Sequence, residues 1–306
     1  MKHKIKYRIT SGIFALGVLS YLAIAELGEV AAADYNQDLS SIPALEEYDL
    51  QAESITRMKL PKQLREISGL AMTHDQRLLA HDDEKGTIFE VDDRTGSIVK
   101  SFKLVDQGRS VEDDFEGIAI GDSGWIYLVT SSGRLYEFRE CDDEHKVPFR
   151  TYATGVGRDC EIESLAYEAN GRALLMMCKN PLSPEQKGIL TIYRWSVDRK
   201  ELVVGGHTAI AISEFSRHIK GDKFQPSGME WDPASGHYFV VAARQRAIAE
   251  VTANGQVLAV VKLAKKWHRQ AEGITLSAAG ALIVADEGAK KRARLTLYPK
   301  KNTSRK

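Results

Sequence analysis

Cysteine is scarce in this chain: among 306 residues only Cys141, Cys160 and Cys178 occur. Their number is odd and none stands in C-x-x-C spacing, which argues against a zinc site or a thioredoxin-type redox pair. An excess of charge is also missing, since 42 Lys plus Arg balance 42 Asp plus Glu. No long-range field therefore draws the chain toward nucleic acid, and that class is rejected. Helical periodicity is rare along the sequence. The motifs of nucleophilic and phosphate chemistry are absent as well: there is no G-x-S-x-G elbow, no H-E-x-x-H and no Gly-rich phosphate loop. The acidic runs at 82–84 and 142–144 lack the spacing of an EF-hand and read as solvated turns. His74, His145, His207, His218, His237 and His268 are spread among turns and read as solvent-facing.

What the chain does have is a repeat. Asp114-Phe115-Glu116-Gly117-Ile118-Ala119 has relatives in Glu66-Ile67-Ser68-Gly69-Leu70-Ala71, Glu161-Ile162-Glu163-Ser164-Leu165-Ala166, Pro226-Ser227-Gly228-Met229-Glu230-Trp231 and Gln270-Ala271-Glu272-Gly273-Ile274-Thr275. The small residue of each copy falls at 69, 117, 164, 228 and 273, giving intervals of 48, 47, 64 and 45 residues. A period in the forties marks propeller blades, four-stranded units that cannot bury both faces alone. Short runs of β-branched and aromatic residues follow each mark, such as Thr87–Val91, Trp125–Val129 and Tyr238–Ala242. Asn254-Gly255 adds a hairpin turn signal. Tyr127, Phe138, Trp195 and Trp231 follow strand spacing and read as packing between blades.

The segment Ile55–Leu60 reads as an outer strand without its own inner three, because its Lys-Leu pair recurs at Lys103-Leu104 and Lys262-Leu263. The last unit supplies only three strands, so pairing the two would close the ring and remove exposed edges. The expectation is an all-β, five-bladed propeller over 50–299, closed by an N-terminal strand in the last blade, with a basic tail at 300–306. The 64-residue interval, holding Pro181–Pro184 and the stretch 197–225, reads as an insertion in blade three, with an irregular sixth blade as the alternative.

Ahead of the propeller, Lys2, Lys4, Lys6 and Arg8 precede an apolar stretch from about Ile9 to Ala25, with small residues at Ala31-Ala32-Ala33. This is the pattern of a signal peptide or uncleaved signal anchor, one apolar helix over 1–25. It places the bulk of the chain outside the cytoplasm, on the periplasmic side of an inner membrane. Residues 26–49 read as an acidic tether.

In a propeller, the loop entering the first strand and the loop between the second and third strands emerge on one face. Glu66, Asp114, Glu116, Glu161, Glu163 and Glu272 are then expected around one mouth of the channel, joined from the second corner by Asp83, Glu84, Asp286 and Glu287. Crowded carboxylates repel one another unless cations compensate them. The functional reading is a hard cation, most naturally calcium. The structural reading is that each Glu accepts hydrogen bonds from a neighbouring blade's backbone. Lys179, Arg244 and Arg246, also at second corners, could neutralise the acids or attract an anionic ligand. Export permits a disulfide, with Cys160 and Cys178 or Cys141 and Cys160 as candidate pairs, or three buried thiols.

The motifs at 66–71, 114–119, 163–167, 227–233, 271–274 and 285–287 together resemble the SdiA-regulated, YjiK-type family of exported bacterial β-propellers. The similarity extends loosely to phytase-like and gluconolactonase-like propellers. The resemblance implies a periplasmic or membrane-anchored propeller with a link to calcium and no established reaction. Ser131, Lys179-Asn180 and Arg244-Gln245-Arg246 depart from the acidic second corners of that family. The expected function is binding of calcium or a small ligand at the acidic mouth without turnover. The alternatives are a metal-dependent phytase-like or lactonase-like hydrolase, and a protein-interaction scaffold.

Overall fold

The computed structural model describes residues 43–52, 55–142, 146–221 and 223–301. The expected apolar helix over 1–25 and most of the expected tether lie outside the described residues. The strands form five blades of four antiparallel strands, and the short Lys146–Val147 and Arg109–Ser110 add to the outer strand of the first, the former in parallel. Listed from the axis outward, blade one holds Ile67–Met72, Leu78–Asp82, Thr87–Val91 and Ile98–Asp106. Blade two holds Phe115–Ile120, Trp125–Thr130, Arg134–Arg139 and Phe149–Ala153. Blade three holds Cys160–Glu168, Ala173–Pro181, Ile189–Ser196 and Glu201–Ala211, and blade four Gly228–Asp232, His237–Ala242, Ala247–Thr252 and Val257–Lys262. Blade five takes Ala271–Leu276, Leu282–Asp286 and Arg294–Tyr298 from the C-terminal part of the chain. Its fourth strand is Thr56–Lys59, paired antiparallel with Thr56 opposite Leu297 and Lys59 opposite Arg294. The ring closes as the sequence implies.

Each blade is apolar on both faces because each is sandwiched between two others. Five buried clusters result, one at every blade interface, and a middle strand such as His237–Ala242 is buried along its whole length. Tyr127 and Trp195 fill the interface of blades two and three, Phe138 that of one and two, and Trp231 that of three and four. The small residue of the repeat is required where inner strands touch. A Cβ on Gly117 would lie 2.4 Å from the backbone nitrogen of Leu165, and one on Gly228 would lie 2.3 Å from the carbonyl of Glu272.

Three expectations need correction. Residues 43–50 are no free tether: Leu45, Tyr48 and Leu50 are buried in the cluster of blades four and five, and the Ala44 and Leu45 amides donate to the buried Glu250 carboxylate at 2.8 and 2.7 Å. A carboxylate that deep needs donors, and this segment brings them. The stretch 197–225 is no pure insertion either, since Glu201–Ala211 is the outer strand of blade three itself. The remaining length is the helix Ile212–Ser216 and an irregular run after it, with Phe215 of the helix stacked on Phe224 at 4.1 Å. Finally, His237 and His268 are buried, not solvent-facing. His237 bonds Glu250 at 2.6 Å, and His268 bridges Asp286 at 2.8 Å and the Tyr298 hydroxyl at 2.6 Å.

Candidate functional site

The mouth of the channel is shaped by a defect that repeats. In four blades the pairing of the inner strand skips one residue just before the small position: from Ile67 to Gly69, Phe115 to Gly117, Ile162 to Ser164 and Ala271 to Gly273. A β-bulge of this kind leaves its extra residue out of the ladder and re-aims its side chain. The residues so released are Ser68, Glu116, Glu163 and Glu272. Glu163 and Glu272 line a cavity of about 350 Å³ together with Lys179, Ser227, Arg244 and Arg269. Glu116 stands within electrostatic reach of Glu163, Asp114, Lys179 and Glu272.

The carboxylates are not consumed in joining the blades. Backbone groups do that work: the Phe115 amide donates to the Asp83 carbonyl at 2.8 Å, the Ile162 amide to Ser131 at 2.9 Å and the Gly288 amide to Arg65 at 2.8 Å. The Ser227 hydroxyl donates to the Ala271 carbonyl at 2.6 Å. Lys179 forms an ion pair with Glu163. Among the described residues none hydrogen-bonds the Glu116 side chain.

Burial dominates the electrostatics. It pushes Glu116 and Glu163 well above the usual carboxylate range, with mutual repulsion adding to the shift at Glu116 and Lys179 opposing it at Glu163. It raises Glu272 to about 8, helped by the charge of Glu163. The mouth is thus a pocket where ionised acids are disfavoured until an incoming group compensates them.

The remaining expected residues divide into two sets. Glu66, Asp83 and Glu287 form a second acidic group at the seam of blades one and five. There Glu66 pairs with Arg65 at 2.8 Å, Glu287 accepts from Gln270, and burial together with the charge of Glu66 lifts Asp83 to about 6. Glu84 is exposed, while Asp114 and Glu161 are exposed and accept from Ser131 and Asn180. Asp286 faces no mouth: it is buried, with its oxygens taken by His268 and by the amides of Arg269 and Gln270. Arg246 is held in the turn of blade four, where its carbonyl accepts from Leu263. Lys179-Asn180 is strand and not corner, because the strands of blade three run longer than expected. Sequence reasoning missed Arg269; the signal was its place directly before the last motif copy. Cys160 and Cys178 are joined in a disulfide, and Cys141 is free.

A calcium ion takes six to eight oxygens. Among the described residues no group of three or more His, Cys, Asp or Glu is placed to hold a metal ion. The ammonium of Lys179 already sits on Glu163, where a metal would have to bind. The donor set as it stands does not fit calcium.

A family model described as SdiA-regulated matches residues 37–139 and 201–305. The stretch between them carries the first three strands of blade three, the disulfide and Lys179. No curated protein matches the chain significantly. Among solved structures, Myxococcus xanthus glutaminyl cyclase is similar over 80% of this chain and 94% of its own, at 15% identity and a TM-score of 0.55. A luciferin-regenerating enzyme is similar over 81% of this chain and 96% of its own, at 10% identity and a TM-score of 0.51. Identities this low carry the fold and nothing more.

Proposed function

Starting from the premise that the chain belongs to the SdiA-regulated family, we propose that it is an exported, non-catalytic binding propeller with a small zwitterionic ligand at the motif-face mouth. One observation carries this reading. Acids from three blades meet Lys179 at one opening, and Glu116 keeps a carboxylate that no described residue hydrogen-bonds. Glu272, with Glu116 in electrostatic reach of it, suits a ligand's ammonium, while Arg244 and Arg269 on the wall that Glu272 shares suit its carboxylate. A volume of about 350 Å³ fits an amino acid or short peptide. No histidine or free thiol lines this opening among the described residues, and the Ser227 hydroxyl is already bonded to a backbone carbonyl. That argues against turnover through a histidine or a thiol, and the metal-dependent hydrolase is the rival that the calcium arm of the test addresses.

Export is supported by the basic-then-apolar pattern of residues 1–25 and by the Cys160–Cys178 disulfide, which suits an oxidising compartment. No helix among the described residues is long and apolar enough to cross a membrane; by the sequence pattern, attachment to the inner membrane would run through residues 9–25.

Melting curves of the full chain in glycylglycine, N-acetylglycine, glycinamide and calcium chloride test the reading. Glycylglycine, which has both charges, is expected to raise Tm beyond either singly charged analogue, and Glu116→Gln is expected to remove the gain. A larger response to calcium, or calcium-dependent hydrolysis of p-nitrophenyl phosphate or gluconolactone, overturns it in favour of a metal site or a hydrolase. Indifference to all probes overturns it in favour of an interaction scaffold.

A further inference from the structure

The opposite end of the channel departs from the repeat. Two residues beyond the small position, the five inner strands carry Ala71, Ala119, Ala166, Glu230 and Thr275. All five line a cavity of about 420 Å³. Four small side chains leave the space, and the fifth puts a carboxylate into it. Glu230 is held in place from the side: one oxygen accepts from the Thr275 hydroxyl at 2.7 Å and the other from the Trp231 amide at 2.9 Å. No described cation forms an ion pair with it. Lys300, which reaches the same cavity, is paired with Glu47. Part of the wall is apolar, with Ile118, Leu165 and Leu276 beside Trp231, and Thr73, His74, Asp232 and Ser277 complete it.

We propose that this second cavity binds a small organic cation, an amine on an apolar or aromatic body, with its ammonium on Glu230 and its body against Ile118, Leu165 and Leu276. The chemistry follows from the contrast between wall and centre. An apolar wall favours a ligand body that leaves water. A buried carboxylate with no cation paired to it is costly unless a counter-charge arrives. Thr275 and Trp231 orient both oxygens without neutralising them, so the charge remains for the ligand. Asp232 adds negative potential nearby, while its own oxygens are taken by the Ala234 and Ser235 amides and the Ser235 hydroxyl. Burial lifts Glu230 to about 7, so near neutrality a cationic guest draws out its charged form. This site shares no residue with the motif-face mouth and does not depend on that reading.

The test is calorimetric titration of the full chain at about pH 8 with benzylamine, benzyl alcohol and benzoate. Benzylamine is expected to bind roughly tenfold tighter than the alcohol, the margin of a charge-assisted over a neutral hydrogen bond, and benzoate not at all. Glu230→Gln should bring the amine down to the level of the alcohol, while Glu201→Gln, at an exposed acid on the outer strand of blade three, leaves it unchanged. Should Glu230→Gln fail to fold, Ala119→Leu, which fills the cavity from another blade, is expected to abolish amine binding. Equal binding of amine and alcohol, no binding by the wild type, or full amine affinity in Glu230→Gln overturns the proposal.

Discussion

The two ends of one channel were built by opposite means. At the motif-face mouth the acids come from the repeat: Glu116, Glu163 and Glu272 occupy the same bulged position in three blades. At the far end the acid comes from an exception, Glu230 standing where other blades carry Ala or Thr. The first arrangement crowds like charges and needs Lys179 to offset them; the second sets one acid, with no cation paired to it, against a partly apolar wall. A repeated residue therefore marks the shared framework, and a broken repeat marks what one blade alone contributes.

The largest effect is expected where both ends depend on one feature, the close approach of inner strands. Gly117→Ala pushes a methyl group to 2.4 Å from the Leu165 backbone, so it should cost about 3 kcal/mol or more in urea unfolding, since backbone cannot step aside as a side chain can. Lys179→Met comes next, because it leaves Glu163 buried without its partner. A loss of about 2–3 kcal/mol is expected near pH 8, shrinking toward pH 5 where the acid takes up a proton. Equal losses at both pH values would mean that Lys179 acts by packing and not by charge.

A smaller gain is expected from Glu116→Gln. The folded chain holds Glu116 protonated to a higher pH than the unfolded chain does, because burial and then Glu163, Asp114 and Glu272 raise its pKa against the opposing pull of Lys179. The folded state therefore binds more protons, so this group's stabilisation is complete at acid pH and is lost as pH rises through the folded-state value. Removing the titration should raise Tm by roughly 2–4 °C at about pH 8 and leave it unchanged near pH 4. A pH profile identical to wild type would remove Glu116 from the crowded set. The smallest effect belongs to the far end: Glu230→Gln keeps the shape of the acid, and near pH 4, where the folded and unfolded chains both hold it protonated, it should shift stability by less than about 0.5 kcal/mol. A large loss there would make Glu230 a structural strut and erase the contrast between the two ends.

Much of the framework was legible because a repeat is self-checking. The spacing of small residues, the apolar strands between them and the orphan strand near Met58 each point to the same ring, and Thr56–Lys59 pairs with Arg294–Tyr298 as that logic requires. The site was legible only by residue type. Glu66, Asp114 and Glu161 lie two residues before Ser68, Glu116 and Glu163 and look equivalent in the string, yet Asp114 and Glu161 end exposed and Glu66 lies at the rim beside Arg65. Asp286 reads as a rim acid and is instead sealed against His268.

By itself, then, the amino-acid order determined the number of blades, their inner-strand signature and the way the circle is fastened, because those depend on local strand patterning and on a period that any reader can count. Tertiary structure alone decided which acids face the channel, that residues 43–50 serve the buried Glu250, and that Lys179 lies against Glu163. The physical reason is parity. Side chains alternate across a strand, so a single unpaired residue switches every neighbour from one face to the other, and where such a residue sits is settled by the partner strand across the ladder.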